Sequence, residues 1–320
     1  MDLFTNLDLF RVITTYTDLR SLCDTCTIIS ILKKYIIYKF NKKYSLIYYN
    51  DILFRQQVLN NICNPHKQLH LDLSECSEIT DVSSLGNVHT LDLKYCKNIT
   101  DVSALGNVHT LKLSCCDQIT DVSMLGNVYE LDLCFCDITD VSALSNVHNL
   151  NLKCCKQITD VSVLKHVHTL NLSFCKITDV SSLGNVHTLD LSDCRNITNV
   201  SALGNVHTLD LNCCKNITDV SALGNVHILN LSCCSQITDV SMLGNVYELN
   251  LSWCNITDVS ALGKVHTLNL LGCTLITDVS MLGNVYELDL RFCDKITDIS
   301  MLGNVHNLCL PYLSFDVKFK

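Results

Sequence analysis

Leu91–Thr110 reads LDLKYCKNITDVSALGNVHT, and its neighbours read LDLSECSEITDVSSLGNVHT over Leu71–Thr90 and LKLSCCDQITDVSMLGNVYE over Leu111–Glu130. A unit this short cannot enclose a core of its own. Near-identical copies in tandem must therefore bury their apolar faces against one another, which makes the chain a stacked repeat. From Leu71 to Asn307 there are twelve units. Nine have twenty residues, and those starting at Leu131, Leu170 and Leu249 have nineteen because one residue is missing between the cysteine and the isoleucine. Such a loop position tolerates deletion.

Within a unit the L-x-L alternation is a strand signal, and so small a strand can bury its leucines only beside its neighbours in a parallel sheet. The following I-T-D-V-S-x-L-G-N-V leaves about ten residues to cross the far side and return, too few for an α-helix with two connections. The spacing predicts an aspartate-capped single turn of 3₁₀ type, with Gly-Asn reversing the chain toward the next strand.

Read across the unit boundary, the pattern is V-x-x-L-x-L-x-x-C-x-x-I, as in Val88, Leu91, Leu93, Cys96 and Ile99. This resembles the leucine-rich repeat in its cysteine-containing form. The resemblance implies an α/β-type solenoid with a parallel β-sheet on the concave side and short 3₁₀ or extended segments on the convex side. It also implies a protein-protein interaction module rather than an enzyme. The expected organisation is a helical head and cap over 1–62, the solenoid over 63–307 and a partial repeat over 308–320, where Pro311 stops a last strand.

Composition narrows the function. An apolar fraction of 48% with only two prolines and eleven glycines argues for a folded chain throughout. Residues 1–70 carry nine Lys/Arg against five Asp/Glu, a net of +4, so the rest of the chain holds −13 of the total −9. An acidic body is a poor nucleic-acid grip. The most apolar stretch, Ile28–Tyr49, is interrupted by Lys33, Lys34, Lys39, Lys42 and Lys43, which excludes a membrane span. The start of the chain lacks an export signal, so an intracellular location is expected.

Three repeated columns could carry chemistry, and each has a plainer reading. The cysteine column runs Cys76, Cys96, Cys116, Cys136, Cys155, Cys175, Cys194, Cys214, Cys234, Cys254, Cys273, Cys293, one thiol per layer. A metal site needs several ligands converging on one point, so burial as a small hydrophobe with a weak donor is expected. The histidine column from His89 to His306 contains Tyr129, Tyr247 and Tyr286, which suits a stacked, partly exposed ring ladder better than zinc. The aspartates of I-T-D, from Asp81 to Asp298 with Asn199 once, fit turn capping better than calcium. No nucleophile stands in a unique context beside a histidine, so the expectation is no catalytic residue, no metal and no cofactor.

What varies between units is free for recognition. The residue before the column cysteine is Glu75, Tyr95, Cys115, Phe135, Cys154, Phe174, Asp193, Cys213, Cys233, Trp253, Gly272 and Phe292 in turn. Aromatic residues on an exposed rim are the composition of a protein-binding surface, so Tyr95, Phe135, Phe174, Trp253 and Phe292, with Glu75 and Asp193, are the candidate partner contacts.

In the head, residues 7–35 have apolar residues at helical spacing with a turn near Thr17–Asp18. They are similar to an F-box, with Leu9, Phe10 and Ile13 in its first helix, Asp18, Leu19 and Leu22 in its second, and Cys26 with Ile28 where the motif usually reads Val-Cys. The proline near the start and the tryptophan after the cysteine are missing. The resemblance implies that Leu9, Phe10, Ile13, Leu19 and Leu22 hold a Skp-like adaptor. The chain would then be the substrate-recognition subunit of a cullin-type ubiquitin ligase; the alternative is a scaffold or decoy with no ubiquitin role. The near-perfect repeats with Lys-, Tyr-, Ile- and Asn-rich flanks look like those encoded by giant DNA viruses such as mimivirus, which implies the host cytoplasm. Residues 36–62, with Tyr38, Phe40, Tyr44, Tyr48, Tyr49 and Phe54, are expected to pack under the first repeat.

Overall fold

The computed structural model describes residues 37–62 and 64–310. The F-box-like residues Leu9, Phe10, Ile13, Leu19 and Leu22, and Pro311, lie outside the described residues. Two compact units are present, one running to Ile138 and including Asn146–His148, the other comprising Thr139–Ser145 and the chain from Asn149.

In the first unit the head contributes β1 (Tyr38–Phe40), α1 (Lys42–Asn50), α2 (Ile52–Asn61) and the short α3 (Pro65–Gln68). Asn41 and Asp51 cap α1 and α2, their side-chain oxygens accepting backbone N–H groups of the first turn. β1 pairs in parallel with β2 (Leu69–Asp72), placing Phe40 beside Leu71. The sequence reading did not foresee this strand, because YKF carries no repeat signature. The Phe40 ring lies 6.4 Å from Tyr48 and 6.3 Å from Phe54, and Tyr48 is fully buried. The Ser45 hydroxyl accepts the Asp72 N–H at 2.9 Å, and Arg55 donates to Ser84 Oγ at 3.2 Å. Residues 37–62 thus cover the apolar end of the first repeat.

Each repeat then supplies one short strand and one 3₁₀ turn. The first unit continues with β3 (Thr90–Asp92), β4 (Thr110–Lys112) and β5 (Glu130–Asp132). The second runs in sequence order from β6 (Asn149–Asn151) to β14 (Asn307–Cys309). Pairing is parallel and in register, leucine against leucine, as in Leu91↔Leu111 and Leu209↔Leu229.

Val88, Leu91, Leu93, Cys96, Ile99, Val102 and Leu105 are buried together, and later layers repeat the set. The capped 3₁₀ turn is present: Asp81 Oδ1 accepts the Ser83 N–H at 2.8 Å, and Asn199 does the same for Ser201 at 2.9 Å. At the reversal toward the next strand Gly86 keeps an ordinary right-handed φ of −65°. A Cβ at Gly86 would stand 2.2 Å from the Ala104 carbonyl oxygen of the next layer, which favours glycine there.

Candidate partner-binding surface

The geometry of the variable position follows from the residue between the two leucines. Asp or Asn occupies that place in eleven repeats, and its side-chain oxygen accepts the backbone N–H two residues on, as in Asp92 to Lys94 at 3.1 Å and Asn250 to Ser252 at 3.0 Å. This Asx turn bends the chain out of the strand. Two residues later Cys96 turns inward, its N–H donating to Leu93 O at 3.1 Å and its thiol to Leu73 O of the preceding repeat at 3.1 Å. The intervening residue must bridge an outward bend and an inward return. It does so with positive φ.

All twelve such positions are left-handed. Glu75, Tyr95, Cys115, Phe135, Cys154, Phe174, Asp193, Cys213, Cys233, Trp253 and Phe292 have φ between 56° and 62°, and Gly272 has 71°. The sequence reading missed this strain, although Gly272 and Asp193, both tolerant of that conformation, stand in the column as a signal.

Side chains on these bends project outward. Tyr95, Phe135, Trp253 and Phe292 are 51%, 52%, 51% and 50% exposed, and Phe174 is 42% exposed. Glu75 is exposed beside Lys42 at 3.6 Å, and Asp193 is half-buried, holding Arg195 at 2.8 Å. In the second unit the structure brings Trp253 and Phe292 together, their rings stacked at 6.3 Å across the layer of Gly272. A Cβ on Gly272 would meet the Trp253 ring at 2.6 Å, so the missing side chain makes room for the indole. Phe174 lies under Lys153 at 5.3 Å. It stands four layers from Trp253, roughly 19 Å at ~4.8 Å per layer.

The repeated columns are structural. Ten column thiols donate to a leucine carbonyl of the preceding repeat, and burial pushes Cys96 up to about 11 and Cys116 up to about 12. The ring column is a stack in each unit, with His89–His109 at 4.5 Å and His187–His207 at 4.6 Å, and it begins one residue earlier than the repeats do, at His70. Burial, then His89 and Lys39, push His70 down to about 4. Burial and the neighbouring rings also hold His89 and His187 below the ordinary histidine value. Burial, then Asp190, raises the Asp210 carboxyl against the opposing bonds from Asn212 and Asn230. Among the described residues, no group of three or more His, Cys, Asp or Glu could hold a metal ion.

The model of the leucine-rich repeat matches residues 163–181 and 245–263. The chain is built of leucine-rich repeats. No match is found among the curated proteins. Among solved structures, an internalin (inlF) from Listeria monocytogenes superposes with a TM-score of 0.57 at 26% identity, over 77% of this chain and 80% of that one. The functional domain of InlJ from the same organism, described as including a cysteine ladder, superposes with a TM-score of 0.53 at 24% identity, over 75% of this chain and 62% of that one. At that identity InlJ speaks for the leucine-rich-repeat fold alone. None of these comparisons indicates an enzyme family. No described helix is long and apolar enough to cross a membrane.

Proposed function

We propose that this leucine-rich-repeat chain is a protein-binding scaffold whose anchors are the outward residues on the left-handed bends. One observation carries the reading. These bends favour glycine, and a non-glycine residue there costs about 1–2 kcal/mol, yet five of the twelve hold exposed aromatic rings. Strain retained at exposed positions, where the side chain does nothing for the core, points to selection for what that side chain touches. Buried aromatic anchors dominate protein interfaces, and paired rings such as Trp253 and Phe292 suit the centre of one. The repeats are acidic as a whole, which favours a basic partner segment. The test is capture of partners by the full chain and by Trp253→Gly. A partner held by wild type and weakened at least tenfold by the substitution supports the reading; capture indifferent to Trp253, Phe292 and Phe174 contradicts it.

The finer reading is a substrate-recognition subunit of a cullin-type ubiquitin ligase, with the target on the strand side and a Skp-like adaptor at the head. It is supported by the F-box-like residues Leu9, Phe10, Ile13, Leu19 and Leu22, which sit ahead of repeats of the kind such proteins carry. Co-purification with a Skp-like adaptor, abolished by changing Leu9, Phe10 and Ile13 to Asp while the repeats stay folded, is the expected result. If wild type brings down no adaptor, the chain is a scaffold or decoy without a ubiquitin role.

A further inference from the structure

Two of the left-handed bends bring thiols together. Cys213 and Cys233 follow β9 (Thr208–Asp210) and β10 (Ile228–Asn230), whose register sets Asp210 opposite Asn230, so the cysteines three residues later stand in adjacent layers. Cys213 N–H donates to Ser232 O at 2.9 Å, and their φ values are 59° and 60°, so both side chains leave the backbone in one direction. Both are free and half-exposed. Asp193 on the next layer is turned to Arg195 at 2.8 and 3.1 Å, and Trp253 occupies the layer beyond Cys233.

The spacing chooses between two chemistries. Parallel side chains one layer apart keep their Cβ atoms ~4.8 Å apart, beyond the ~3.8 Å mean of a disulfide, so a direct sulfur–sulfur bond requires the backbone to move. One metal ion between the sulfurs requires no such movement. At ~2.3 Å per metal–sulfur bond, two thiolates on one centre stand ~3.8 Å apart at a tetrahedral angle and ~4.6 Å apart when opposed. Zinc takes four ligands in a structural site, and no third His, Cys, Asp or Glu converges here, whereas pure thiolate donors select soft ions such as Cu(I).

We propose that Cys213 and Cys233 form a two-sulfur site for one soft, thiophilic ion of the Cu(I) type. Binding replaces two S–H bonds with two metal–sulfur bonds and releases two protons to solvent, with no change of oxidation state. The site is independent of protein recognition, since it uses none of the aromatic anchors. The column thiols compete poorly because they are buried inside the stack and donate to leucine carbonyls of the preceding repeat, Cys194 to Leu172 at 3.0 Å and Cys234 to Leu211 at 3.1 Å.

The test is an anaerobic Cu(I) titration of the reduced, folded full chain against a chromophoric Cu(I) chelator. Wild type should take one tight equivalent, and C213S or C233S alone should each weaken it at least a hundredfold. C154S, which removes a half-exposed thiol on a separate layer, should leave it unchanged. Unaltered melting temperatures in all variants exclude uptake by column cysteines exposed on unfolding. Retention of the tight equivalent by both C213S and C233S, or its absence from wild type, overturns the proposal.

Discussion

At the residue scale, the positive φ of the outward bends separates what is good for the fold from what is good for binding. Trp253→Gly removes an exposed ring and relieves left-handed strain, at a cost in unfolded-state entropy of about 0.5–1 kcal/mol. We expect its melting temperature to equal or exceed that of wild type, and a fall of several degrees in calorimetry would show that the ring is a core contact. Gly272→Ala should do the reverse: with φ 71° and a Cβ 2.6 Å from the indole, it should lower stability and displace Trp253. A changed emission spectrum checks the displacement. The sequence revealed which positions vary and which residues fill them. It did not reveal their conformation, because aromatic and cysteine residues are not left-handed formers and the bend is imposed by the Asx turn before it and the buried cysteine after it.

At the scale of the element, the strand and the 3₁₀ turn were legible because their periods are fixed: L-x-L sets the strand, and Asp before V-S-x-L sets the cap. Asp219→Ala should lower the melting temperature by removing the acceptor for Ser221 N–H, and Asp219→Asn should not, since Asn199 fills the same role. Equal losses in both variants would mean that charge, not capping, fixes the residue. The close approach at the turn glycines was not legible, since its cause lies in the neighbouring layer. Gly224→Ala would place a Cβ 2.3 Å from the Met242 carbonyl oxygen, and overpacking of that kind costs about 1–3 kcal/mol, readable in a urea titration. Ser145 and Lys165 hold this position in two repeats.

At the scale of the whole molecule, repetition turns small terms into a pH response. His70, His89 and His187 titrate below the ordinary 6.5, His70 at about 4, so the folded chain binds fewer protons than the unfolded one as pH falls through that window. Their contribution is complete above about pH 6.5 and is lost progressively toward pH 4. The turn-capping aspartates, held below their ordinary value by the serine N–H groups, add a second loss at lower pH. The urea midpoint should therefore decline between pH 6.5 and 4, before most carboxylates protonate, and a flat midpoint across that range would show that the stacked rings accept protons freely. The ring column was visible in the sequence as a recurring His replaced three times by Tyr, while its start at His70 was hidden because that residue precedes the first full repeat.

The central claim is that the aromatic bends are surface held ready for a partner, and Trp253 reports on it alone as the chain's single tryptophan. Its emission and acrylamide quenching should be measured in the free chain and with the captured partner. The account predicts a red-shifted, readily quenched indole in the free protein that turns blue-shifted and protected on binding. An indole already blue-shifted and protected in the free chain, or one unchanged by a bound partner, would contradict it.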